Sequence, residues 1–126
     1  MPVRVVDASA LGALIYGEPK AEEIARALAD STIVAPALLW FELASVTLKK
    51  IKAHTKQEGQ ILKAFSLAHN LAIEIIKVDH LAVIELAKKA NITTYDASYL
   101  WLVLHLRGEL VTLDKKLRRV AAHSLP

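Results

Sequence analysis

Four carboxylates stand where an α/β chain would place its chemistry. Asp7 closes the β-branched run Val3-Arg4-Val5-Val6, Glu42 interrupts the apolar stretch Leu38 to Val46, Asp96 follows Thr93-Thr94-Tyr95, and Asp114 follows Leu110-Val111-Thr112-Leu113. In a doubly wound sheet, sites form in the crevice beyond the C-terminal strand ends, and neighbouring first and fourth strands would set Asp7 beside Asp114. Adjacent carboxylates repel each other unless protons or metal ions intervene. Oxygen donors with no His or Cys nearby suit a hard divalent ion, Mg²⁺ or Mn²⁺, rather than zinc. The reaction that such a site serves best is phosphodiester hydrolysis.

Taken singly, three of the four have a structural explanation. Asp7 and Asp114 suit helix N-caps, and Asp96 suits the positive end of a helix dipole behind a Thr93 or Thr94 cap. Glu42 is different. It is surrounded by Leu38, Leu39, Phe41, Leu43, Ala44 and Val46, with no basic residue at the i±3 or i±4 positions of a helical ion pair. A carboxylate buried there alone would cost several kcal/mol or take up a proton, so it requires a cation or an opening to solvent.

The elements that must carry these residues follow from periodicity. Val3–Val6, Ile33–Ala35, Ile73–Ile76 and Leu110–Thr112 read as short buried strands. Helical spacing predicts helices over Ala8–Tyr16, Lys20–Asp30, Ala37–Ala53, Thr55–His69, His80–Ala90, Thr94–Arg107 and Asp114–Val120. Ile61, Leu62, Phe65 and Leu67 or Ala68 are expected to face inward on the fourth of these, and Leu81, Ile84 and Leu86 or Ala87 on the fifth. Strands alternating with helices imply right-handed crossovers and a parallel sheet covered on both faces. The expectation is one three-layer α/β/α domain over residues 1–126, with four strands and room for a fifth.

The totals set outer bounds. The 126 residues contain no cysteine, which excludes a disulfide framework, a thiolate metal site and a cysteine nucleophile. Neither a signal run nor a charge-free membrane-length stretch is present, so the chain reads as cytoplasmic. A net charge of +3 is too small to argue for an anionic partner. The 54% hydrophobic content is more telling, because a small domain has much surface to cover, and it predicts apolar surface covered by another chain.

Four segments together carry a resemblance: "VVDASAL" at the start, "PALLWFELASV", "TTYDASYLWLVLHL" and "LVTLDKKL". In this order and at these spacings, across nearly the whole chain, they resemble PIN-domain ribonucleases, and most of all the VapC toxins of type II toxin–antitoxin pairs. The resemblance implies Mg²⁺- or Mn²⁺-dependent endonucleolytic cleavage of single-stranded or loop RNA, with the metal held by Asp7, Glu42, Asp96 and Asp114. By that analogy Asp7, Asp96 and Asp114 are the direct ligands and Glu42 acts through a bound water. It further implies a VapB-like antitoxin partner and fits a homodimer. Ser9 and Thr112 match polar positions of the family's first and last motifs, although local capping or turn bonds explain hydroxyls there equally well. The short tail departs from the family's fifth edge strand.

Other features carry less. Lys49 shares a helix face with Glu42, and Lys115, Lys116, Arg118 and Arg119 follow Asp114, so a phosphate backbone crossing the site would meet cations. The five histidines show no ligand spacing. Trp40, Trp101, Tyr95 and Tyr99 read as core or interface rather than base-stacking platforms. Four scattered glycines form no phosphate-binding loop. An aspartyl phosphatase would need a second acid two residues after its nucleophile, and Ser9 holds that place after Asp7. The alternative to a nuclease is a PIN-like module that binds RNA or protein without cutting, which would have no use for mutually repelling carboxylates.

Overall fold

A computed structural model describes residues 1–124. Strands β1 (Val3–Val6), β2 (Thr32–Ala35), β3 (Ile73–Ile75) and β4 (Glu109–Val111) form one parallel sheet in the order β3-β2-β1-β4. Val5 pairs with Val34 on one side and Leu110 on the other, which puts the ends of β1 and β4 side by side. Helices α1 (Ala8–Ile15), α2 (Ala21–Leu28), α3 (Leu38–Ala53), α4 (Glu58–Ala68), α5 (His80–Ala90), α6 (Thr94–Leu106) and α7 (Lys115–Ser124) supply the crossovers and cover both faces.

The pleat explains the two layers. Alternate strand residues point to opposite faces, so Val6 and Ala35 pack with Leu11, Ile24, Leu39 and Leu43, while Val5 and Val34 pack with Tyr99, Leu102, Val103 and Leu117. A third cluster joins α5 to α6 through Val83, Ala87 and Ala97. The small side chains Ala87 and Ala97 let these two helices approach closely.

Several expectations are corrected. The segment before α4 begins with a 3-10 turn, Thr55–Gln57, rather than with helix. Leu62 and Leu67 lie outside on α4, where Ile61 and Ala68 are buried. On α5, Leu81 and Ile84 face solvent and Val83 is buried in their place, while Ala87 is buried as expected. The run Leu81-Ala82-Val83-Ile84 is apolar on more than one stripe, so its period does not fix which stripe turns inward. α7 continues to Ser124, and the described residues contain four strands and no fifth.

The approach of β4 to β1 depends on Gly108. A Cβ there would sit 2.9 Å from the Val3 carbonyl oxygen and 3.1 Å from Val3 Cγ1. A backbone oxygen cannot swing aside as a flexible side chain can. Gly108→Ala is therefore expected to lower stability by about 1–3 kcal/mol, the usual cost of overpacking, measurable by urea denaturation. An unchanged midpoint would show that the strand pair has slack.

Candidate metal-binding active site

Local physics places each acid. Asp7 is the first residue after β1 and the N-cap of α1, its Oδ1 accepting from Ala10 N at 3.0 Å. Asp114 follows β4 and caps α7, accepting from Leu117 N at 3.0 Å. Thr93 caps α6 by accepting from Asp96 N at 3.0 Å, which leaves the Asp96 carboxylate unengaged by the cap. The capping explanations therefore hold for all three positions, and they coexist with a shared cleft. Asp7, Glu42, Asp96 and Asp114 all line one open cavity of about 510 Å³, together with Ser9, Phe41, Tyr95 and Tyr99.

A hydroxyl network fixes the buried member. Ser9 Oγ donates to Asp7 Oδ1 at 2.7 Å, and Thr112 Oγ1 donates to Asp7 Oδ2 across the β1–β4 boundary. Leu113 N donates to Ser9 Oγ at 2.9 Å and Asp114 N to Thr112 Oγ1 at 3.0 Å. Ser9 and Thr112 thus do make local bonds, and those bonds tie the Asp7 loop to the Asp114 loop.

Electrostatics marks the cleft as short of positive charge. Burial raises the Asp7 carboxyl above its ordinary value despite its three hydrogen bonds, with Asp114 adding to the rise. Burial raises Asp96 too, reinforced by Asp114 and Asp7, while the Lys116 ammonium draws it the other way. Glu42 is raised by burial, then by Asp7 and Asp96, against a lowering hydrogen bond from Tyr99. Among the described residues, the ion pairs join Arg4 to Glu109, Lys20 to Glu23 and Lys50 to Glu18, and none engages a cleft acid.

Tyr99 is the residue that sequence reasoning missed. It is buried in the core as expected, yet its hydroxyl donates to Glu42 Oε1 at 2.5 Å and so joins α6 to α3. Burial and the Glu42 carboxylate push the phenol well above its usual range, keeping it a donor. The available signal was its position one helical turn after Asp96. Tyr99→Phe is expected to cost about 1 kcal/mol of stability through the lost bond and to lower turnover by freeing Glu42. Thermal melts and steady-state kinetics check both, and unchanged turnover would leave Tyr99 a core residue only.

The expected cations divide. Lys116 is near enough to Asp96 to affect it, and Lys49 lines a second hollow that shares Ser45 and Val46 with the acidic cleft. The guanidinium of Arg118 instead donates to the Thr112 carbonyl and lines a separate depression with Arg4 and Glu23. Tyr95 is not in the core, being 61% exposed at the cleft.

The donor set fits a hard divalent cation: four carboxylates, neither His nor Cys in the lining, and no compensating ion pair. Among the described residues no three or more His, Cys, Asp or Glu side chains stand close enough together to hold one ion as they are placed. An open arrangement suits an ion that keeps several of its waters.

Comparison with known proteins agrees with the geometry. Ribonuclease VapC3 of Pyrobaculum aerophilum is 34% identical over 124 residues, covering 90% of each chain. The crystal structure of PAE2754 from Pyrobaculum aerophilum superposes with a TM-score of 0.78 at 20% identity, covering 94% of this chain and 84% of that one, and so shares the fold. Residues 4–123 match the PIN domain family. Four acids at the ends and flanks of a β3-β2-β1-β4 sheet, a family match over nearly the whole chain and a VapC relative at this identity lead to one conclusion: the chain belongs to the PIN-domain family, as a VapC-like member.

Proposed function

We propose that this protein is a divalent-metal-dependent endoribonuclease and the toxin of a VapB–VapC type pair. The observation that carries the reading is the single cleft shared by Asp7, Glu42, Asp96 and Asp114, with the carboxyls of Asp7, Glu42 and Asp96 raised and, among the described residues, no ion pair to any of the four. Asp7, Asp96 and Asp114 would hold Mg²⁺ or Mn²⁺ directly and Glu42 through water. A bound ion supplies charge neutralisation at the scissile phosphate and a water of lowered pKa. The chain's own groups do the rest. Ser9 and Thr112 hold Asp7 in place, Tyr99 orients Glu42, and Lys116 and Lys49 offer positive charge to the phosphates on either side.

The similarity to a VapC ribonuclease supports RNA as substrate and a VapB-like antitoxin as partner. Exposed Leu62, Leu67, Leu81 and Ile84 supply the apolar surface that a homodimer or an antitoxin would cover. Cleavage of a mixed cellular RNA pool by the purified chain tests the reading, with Mg²⁺ or Mn²⁺, with chelator, and with Asp7→Asn as control. Discrete fragments that need both the metal and Asp7 support it. A folded protein that cuts nothing under any metal would favour the silent binding module.

A further inference from the structure

Two aromatic rings at the cleft have no role in the core. Phe41 is 76% exposed and Tyr95 is 61% exposed, yet both line the acidic cavity. Each is the sequence neighbour of a carboxylate, Phe41 of Glu42 on α3 and Tyr95 of Asp96 on α6, and the Tyr99–Glu42 bond ties the two helices together at that level. The rings therefore come from two elements on a frame held by a partly buried hydrogen bond. Tyr95 also lines the adjoining hollow with Pro36, Ile75 and His80, so it stands where one depression opens into the other.

We propose that Phe41 and Tyr95 are base-stacking positions, each taking the face of an unpaired nucleobase flanking the phosphodiester at the carboxylates. This rests on the nuclease reading and deepens it. A large aromatic ring left exposed beside carboxylates gains little from water, whereas every base offers a π-face, whatever its identity. Bases are open to such stacking only where they are unpaired, since a duplex keeps them stacked on one another. A strand crossing the cleft would place its phosphate among the acids and the neighbouring bases against the rings. A protein side chain could also cover Phe41 and Tyr95. On the nuclease reading a divalent ion held by the acids would turn the cleft towards anions, and an RNA strand is the occupant that brings a phosphate and planar faces together. The consequence is preference for unpaired RNA with tolerance of sequence at both flanking positions.

The test uses the full chain carrying Asp96→Asn and a fluorescent, non-self-complementary single-stranded RNA of about ten nucleotides, compared with a longer perfect hairpin that carries the same ten nucleotides as one strand of its stem. Added Phe41→Leu and Tyr95→Leu keep an apolar surface without a ring, while Phe41→Trp and Tyr95→Phe keep a ring. Each Leu variant is expected to weaken binding to the single strand about tenfold, to leave hairpin binding unchanged and to abolish quenching of 2-aminopurine placed beside the scissile position. The ring-retaining variants keep all three properties. Leu variants that bind as the parent does overturn the proposal while the nuclease reading stands. So do Leu variants that only convert a dimer to a monomer, which would assign the rings to a second copy of the chain. If the parent binds no RNA and the unsubstituted chain cuts none, the nuclease reading fails and the stacking proposal with it.

Discussion

Asp96→Asn is expected to lower RNA cleavage by about 10³-fold or more, the scale of several kcal/mol of lost transition-state stabilisation, while making the metal-free protein harder to melt at neutral pH. The substitution keeps shape and leaves the α6 cap intact, because Thr93 and not the Asp96 side chain provides it. The helix dipole favours a negative charge in this first turn by about 0.3–1 kcal/mol. The Asp96 carboxyl is raised nonetheless, so burial and repulsion by Asp114 and Asp7 outweigh the dipole. A raised carboxyl binds its proton more tightly folded than unfolded. Stability therefore falls as pH rises through the interval between the ordinary value of 3.8 and the raised one, and the cost is fully present above it. The gain from Asn should accordingly be largest at neutral pH and vanish below 3.8. Melts across pH, run beside cleavage assays, check both halves. Retained cleavage by the pure variant would remove Asp96 from the site.

The second large effect is stabilisation by the ion. At a concentration 100 times its dissociation constant, an ion that binds only the folded chain adds about 2.7 kcal/mol, which for a domain of this size shifts Tm on the order of 10 °C. Mg²⁺ or Mn²⁺ should produce that shift, chelator should reverse it, and Asp7→Asn should remove most of it. Protons compete for the same oxygens, so the shift should shrink as pH falls through the raised carboxyl range of Asp7, Glu42 and Asp96. A Tm indifferent to both ions at neutral pH would mean that the cleft does not hold them.

Much of this arrangement is legible in the sequence, and the reasons are local. Short apolar strands alternating with helices leave few topologies, and one of them puts β1 beside β4 and so Asp7 beside Asp114. Glu42 betrays its position because a lone carboxylate in an apolar helix needs an explanation. The role of Tyr99 stays hidden, since an inward tyrosine among leucines looks like packing and the bond to Glu42 spans 57 residues. Phe41 and Tyr95 are opaque for a related reason. Helices α3 and α6 are apolar around most of their circumference, so composition does not reveal which ring the cleft exposes. The inward faces of α4 and α5 are ambiguous on the same grounds.

The hydrogen bond between Thr112 and Asp7 links positions 105 residues apart. Contacts of such long range form late, because closing the intervening loop costs entropy that only the finished packing returns. During synthesis the chain emerges with β1 and Asp7 first, and the strand that completes the cleft follows more than a hundred residues later. A nascent chain that has released only β1 to β3 accordingly lacks Asp96, Asp114 and the Thr112 clamp. For a nuclease this ordering is a safeguard: the carboxylate cleft cannot assemble until β4 and the start of α7 have emerged.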